Sequence, residues 1–157
     1  MPLLLRTVRQ NRWIKVEAAP FLANNDIPAD CLGDMPTQEN QLSVWVIEQD
    51  RSNIERVVRA VAVGKQKIDN AGYIVFDSAL VQAAGIEIQD NPGTTADTGA
   101  NAWHRDLVLT GNKMVALAKA ILENGEDARQ ILKLRMRELV QAGIDQGELP
   151  QHVKQKL

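Results

Sequence analysis

Leu42-Ser43-Val44-Trp45-Val46-Ile47 is the segment on which the reading of the fold turns. Side chains two apart share a face of a strand, and here both alternating rows are β-branched, aromatic or leucine apart from Ser43. A strand apolar on both faces belongs inside a sheet and is covered from each side.

Working outward, Tyr73–Phe76 reads as a second buried strand, and Ile86–Ile88 as a third that alternates around Glu87. Leu3–Val8 and Arg12–Val16, separated by Arg9-Gln10-Asn11, read as a hairpin or as a strand and a bend. Between the first two buried strands lies a helix signal. Ser52-Asn53-Ile54-Glu55 matches a capping box, with Ile54, Val57, Val58 and Val61 as the buried stripe, Glu55 and Arg59 on the wet face, and Gly64 as the stop. Asp77 can cap a short helix that Gly85 ends. Ala18–Asn40 holds Pro20, Pro28, Pro36 and Gly33, which predicts a covering loop with one short helical turn.

The second half is read as helical. Leu107 through Leu122 keeps one helical phase, with a break at Thr110-Gly111 as the alternative. Asn124-Gly125 is a stop, and Ala128–Ala142 is a second long helix carrying Ile131, Leu132, Met136, Leu139 and Val140 on its buried side. The sum is α+β, or a small α/β layer: a mixed sheet of three to five strands with packed helices and a C-terminal pair of long amphipathic helices. Residues 1–123 form the core domain and 124–157 a helical extension that packs on that core or on a partner.

The chain has 157 residues, 45% of them hydrophobic and 24% charged, with a net charge of −2. That length suits one self-sufficient core, and the charge exerts no global pull toward nucleic acid or anionic membrane. Cys31 stands alone, which excludes an internal disulfide and any cysteine-based zinc cluster and suits a reducing compartment. The leucine run after Met1 and Pro2 is too short for a signal core and no stretch is long enough to span a bilayer, so the expectation is a cytoplasmic protein without a membrane segment.

The stretch most suggestive of a site is Asp90–Asp106, DNPGTTADTGANAWHRD. A long polar connection is uncommon in a compact domain, and this one runs into an indole, an imidazole, a guanidinium and a carboxylate. His104 is the candidate acid/base. Asp106 is counted with Arg51 among the candidate binding residues, beside a structural reading as a first-turn helix residue that on a helix would point away from His104. Trp103 and Arg105 are candidate binding anchors, since such residues dominate interfaces. Asp77 follows a buried strand where ligand-binding carboxylates sit, although capping explains it equally simply. Arg51, with Asp50, holds the same place after the first strand; side-by-side pairing of the two strands would crowd Asp50, Arg51 and Asp77 at one sheet edge.

No phosphate-loop, dinucleotide, metal-ligand or serine-hydrolase pattern is present, so no cofactor and no metal are expected. Arg129, Lys133 and Arg137 could track phosphates, but Glu126, Asp127 and Glu138 beside them favour a solvated face over nucleic-acid binding. Two functions remain. One is a non-catalytic protein-binding or regulatory module acting through Trp103 and Arg105, and able to form homo-oligomers. The other is a small hydrolase or transferase for a phosphate-containing substrate, with His104 and Asp77 catalytic and Arg51 or Arg105 clamping the anion.

Overall fold

A computed structural model describes residues 1–157. Six strands, β1 (Leu3–Thr7), β2 (Gln41–Ile47), β3 (Ala71–Asp77), β4 (Glu87–Asp90), β5 (His104–Val108) and β6 (Arg129–Ile131), form one sheet in the order β4-β5-β2-β1-β3-β6. Every pairing is antiparallel. The helices are α1 (Lys15–Ala23), α2 (Ala29–Leu32), α3 (Ile54–Ala62), α4 (Ser78–Ala83), α5 (Gly111–Asn124) and α6 (Lys133–Asp145). Short 3-10 segments cover Gln10–Arg12, Ala100–Trp103 and Gln151–Lys156.

The doubly apolar strand does what its composition demands. Val44 enters one core with Leu4, Phe76 and Leu107, while its neighbour Trp45 enters a second with Leu5 and Val75 on the other face. Side chains from α1, α2, α4 and α5 fill the first core (Ala18, Cys31, Val81, Leu117, Ile121), and those of α3 and α6 fill the second (Val57, Val58, Met136, Val140). The architecture is therefore three layers, helix–sheet–helix. β1 lies at the centre, and Leu4 and Leu5 send adjacent side chains into opposite cores.

The α+β class stands, but the sheet is larger than three to five strands and is antiparallel rather than mixed. The extra strands come from segments expected to be helical. His104–Val108 is β5, and the helix that follows begins at Gly111, where Thr110 accepts a hydrogen bond from the Lys113 amide. The break at Thr110-Gly111 is thus the correct alternative. Arg129–Ile131 is β6 on the β3 edge, so α6 starts only at Lys133. No C-terminal helix pair forms: β6 carries the chain across the sheet edge and leaves α5 and α6 on opposite faces. Residues 124–157 supply an edge strand to the common sheet and a helix to its second covering layer.

Arg12–Val16 forms no strand; the chain turns through Gln10–Arg12 into α1. Pro20 lies inside α1, leaving the Val16 carbonyl without its helical donor on a side where Val16 is 84% exposed and water can bond it. The capping box does not form either. Asn53 precedes α3 and spends its side chain on the Glu48 amide and the Val46 carbonyl, while Glu55 pairs with Arg135 of α6 at 2.9 Å. Arg59, expected on the wet face, is buried.

Candidate functional site

The polar connection between β4 and β5 is folded onto the protein. Its ends meet where the Gly93 amide donates to the Asn101 carbonyl at 2.9 Å, and Asn101 further bonds Thr95 through amide and hydroxyl. A loop that closes on itself and packs its own side chains is an Ω-type loop. Gly93 is required because a Cβ there would stand 3.0 Å from the Trp45 ring and 2.9 Å from the Asn101 carboxamide oxygen.

Asp97 anchors this loop and is fully buried. It receives Arg56 Nε and Nη2 at 2.8 Å, Arg59 Nη2 at 3.1 Å and the Ala100 amide at 3.1 Å. Glu148, after α6, accepts from Arg56 at 2.8 Å and from Arg59 at 3.0 Å, which completes a balanced cluster of two cations and two anions. Gly143 lets α6 pass, since a Cβ there would lie 2.6 Å from the Arg59 guanidinium. Trp103 packs against the second core with the Arg56 guanidinium 5.6 Å from its ring centroid, a cation–π geometry. Asp97, Arg56, Arg59 and Glu148 were not marked by the sequence. They are far apart in the chain, and their residue types are the ordinary ones for solvated surfaces.

His104 and Asp106 do come together, because their segment is a strand and residues two apart share a face. His104 Nε2 stands 3.8 Å from Asp106 Oδ1. His104 Nδ1 lies 2.6 Å from the Asn91 carbonyl oxygen, which can only accept, so the proton sits on Nδ1. Asn91 Nδ2 donates to Asp106 at 2.5 Å, and Trp45 meets the imidazole edge-on at 5.0 Å. Both residues are at most 8% exposed.

Asp77 is not part of this group. His104 pairs with Trp45, Trp45 with Leu5, and Leu5 with Val75, so three strand spacings (roughly 14 Å) separate β5 from β3. The Asp77 carboxylate accepts from the Ala79 amide at 2.8 Å, as an N-cap. β1 also separates β2 from β3, so Arg51 and Asp77 are not on adjacent strands. Arg51 instead grips Glu126 with both guanidinium ends, and that bonding holds the Glu126 carboxyl below its usual range. Arg105 pairs with Asp90 at 2.8 Å and bonds the Ala102 and His104 carbonyls. Arg129 lies on β6 rather than on α6 with Lys133 and Arg137, so the proposed basic stripe is not one helix face.

Three concavities bear on the site. The larger cleft, about 780 Å³, lies at the end of β1 and β3 beneath the α3–β3 connection. An open one of about 640 Å³ lies against Trp103 and Arg56, beside Asp50 and Ser52. The smaller groove, about 360 Å³, runs along α1 beside Pro28 and Asp30. His, Cys, Asp and Glu side chains gather nowhere in a group of three or more able to hold a metal ion, and no helix is long and apolar enough to cross a membrane. Comparison with protein families, curated proteins and solved structures returned no match to this chain.

Cys31 is fully buried and its thiol donates to the Arg12 carbonyl at 3.0 Å. Burial, with help from Asp34 and Asp30, pushes the thiol up to about 11. The nucleophilic thiolate is therefore scarce at neutral pH. We expect a thiol reagent at pH 8 to leave native protein unmodified and to label one equivalent once denaturant is added. Rapid labelling of the native state would show that α2 opens readily.

Proposed function

We propose that this protein is a non-catalytic binding module that docks an amphipathic helix of a partner protein along α1. The observation that carries this reading is the outward face of α1. Of its nine residues only Ala18 is buried; on the groove side Phe21 is 43% exposed and Ile14, just before the helix, 41%, while Val16, 84% exposed, lies on the opposite side. A surface helix normally turns polar residues outward, and clustered exposed apolar side chains mark interaction surfaces.

Ile14, Glu17, Ala18 and Phe21 line the smaller groove at helical spacing opposite Pro28. Such a row accepts the apolar anchors of another helix. Arg9 at one end has no ion-pair partner in the fold and suits a partner carboxylate, while Asp30 supplies the opposite sign. Trp103 and Arg105, the anchors read from the sequence, also make contacts within the fold, with Arg56 and Asp90 respectively; α1 is preferred here for its exposed apolar side chains.

Phe21→Asp tests this. The variant should keep its thermal midpoint, because Phe21 lies outside both cores. Capture of the partner from host lysate should weaken by about 30-fold or more, as for other truncated hot spots. Undiminished capture by Phe21→Asp would reject the surface, and recovery of further copies of this chain alone would reject the heterologous partner.

A further inference from the structure

We propose that the larger cleft, at the end of β1 and β3, is a binding site for a phosphorylated sugar or similar phosphorylated polyol. This site shares Arg9 and Asn11 with the near end of the α1 groove, but its argument does not depend on the reading above. Its volume, about 780 Å³, is in the range of small-molecule sites. Its floor is the close approach of two backbones. A Cβ on Gly72 would stand 2.3 Å from the Val8 carbonyl oxygen, so glycine there lets β3 meet the end of β1.

The charge inside the cleft runs against that of the whole chain. Arg6, Arg9, Lys65 and Lys67 line it against Asp34 and Asp69, in a protein whose net charge is −2. Both carboxylates are already bonded. Asp34 accepts from the Trp13 indole at 2.9 Å and the Arg9 amide at 3.1 Å and faces Arg12 at 3.6 Å, while Asp69 accepts from the Asn70 amide at 2.8 Å.

Arg6 is braced against the Asp34 and Ser43 carbonyls, so it adds fixed positive charge and holds the wall in shape. Lys65 and Lys67 are exposed and enter none of the ion pairs of the fold. The C-terminus of α3 would oppose an anion through its carbonyls. Lys156 reduces that opposition by donating to the Val63 carbonyl at 2.7 Å and the Lys65 carbonyl at 2.5 Å.

The rest of the lining selects the body of the ligand. Gln10, Asn11, Gln66, Asn70 and Gln130 present carboxamides, which both donate to and accept from hydroxyl groups. Val61, partly exposed and backed by the buried Val58 and Ala62, gives one apolar contact suited to the carbon face of a sugar ring. No aromatic side chain lines the cleft, so it offers no platform on which a nucleobase would stack.

The test is calorimetric titration of the full chain with glucose 6-phosphate, glucose, inorganic phosphate and adenosine monophosphate. Glucose 6-phosphate should bind saturably, and each of the other three at least about tenfold more weakly, as expected when one charge-assisted contact set is lost. Lys65→Ala/Lys67→Ala should weaken glucose 6-phosphate about tenfold or more, while Arg137→Ala/Lys154→Ala, exposed cations outside the cleft, should leave it unchanged. Thermal midpoints of both variants, read without ligand, establish that the fold is intact. The proposal is overturned if glucose 6-phosphate gives no saturable binding up to about 10 mM. It is also overturned if inorganic phosphate or the nucleotide binds as tightly, or if the lysine variant binds like wild type. The Phe21→Asp experiment reads a different surface, so either proposal can fail alone.

Discussion

Replacing Asp97 with alanine is expected to lower stability by about 3–5 kcal/mol, because it strands buried positive charge. Arg59, 4% exposed, would keep only Glu148 as a counterion, and Arg56 would lose its bidentate partner. Equilibrium urea unfolding measures the loss. An unmoved midpoint, with only the 91–103 loop more sensitive to protease, would show the cluster to be a local clasp. The effect carries a pH signature. Burial alone would raise the Asp97 pKa, but hydrogen bonds from Arg56, the Ala100 amide and Arg59 outweigh it and hold the carboxyl below its usual range. A depressed folded-state value means the stabilisation is complete above the unfolded value near ~4 and disappears as pH falls through the folded one. The gap between wild type and Asp97→Asn should therefore persist at neutral pH and narrow in acid below about pH 4.

Trp13→Ala should cost about 3–5 kcal/mol, as large-to-small changes of a fully buried aromatic do. Trp13 is 1% exposed in the first core, and its indole N–H reaches Asp34 at 2.9 Å. Trp13→Phe separates the two contributions: it keeps most of the packing and removes the hydrogen bond to a buried carboxylate, for a loss of about 1.5–3 kcal/mol. The measurement is urea unfolding followed by circular dichroism, with Trp45 and Trp103 still available for fluorescence. A small effect of Trp13→Ala would mean that the Gln10–Arg12 turn and α1 are loosely held on the sheet.

Legibility in the sequence followed the physics of each segment. LSVWVI announced its place because both its rows are buried in apolar cores, and Asp77 announced its cap because capping is local. β5 was hidden because His104 and Asp106, on one of its rows, are polar residues satisfied by Asn91 from the loop above, so no apolar alternation exists to detect. β6 was hidden because three residues carry no period, and Ile131 fitted the helical phase of the residues after it. His104 was picked out beside the loop but read as the start of a helix, whereas it lies on β5 facing Asp106, and Asp77 stands three strands away, since strand order is a nonlocal property. The buried ion cluster was invisible for the same reason: Arg56, Asp97 and Glu148 meet only after three separate segments have folded.

The central position of β1 bears on how quickly the sheet can assemble. β1 pairs with no strand that is close to it along the chain. Its neighbours are β2, beyond the whole α1–α2 segment, and β3, beyond α3 as well. No hairpin can therefore nucleate the middle of the sheet, and the entropy of two long loop closures must be met before either pairing stabilises anything. Refolding should be slow for a domain of this size, with the backbone amides of Leu4 and Leu5 among the last to gain protection from hydrogen exchange and, once protected, among the last to lose it.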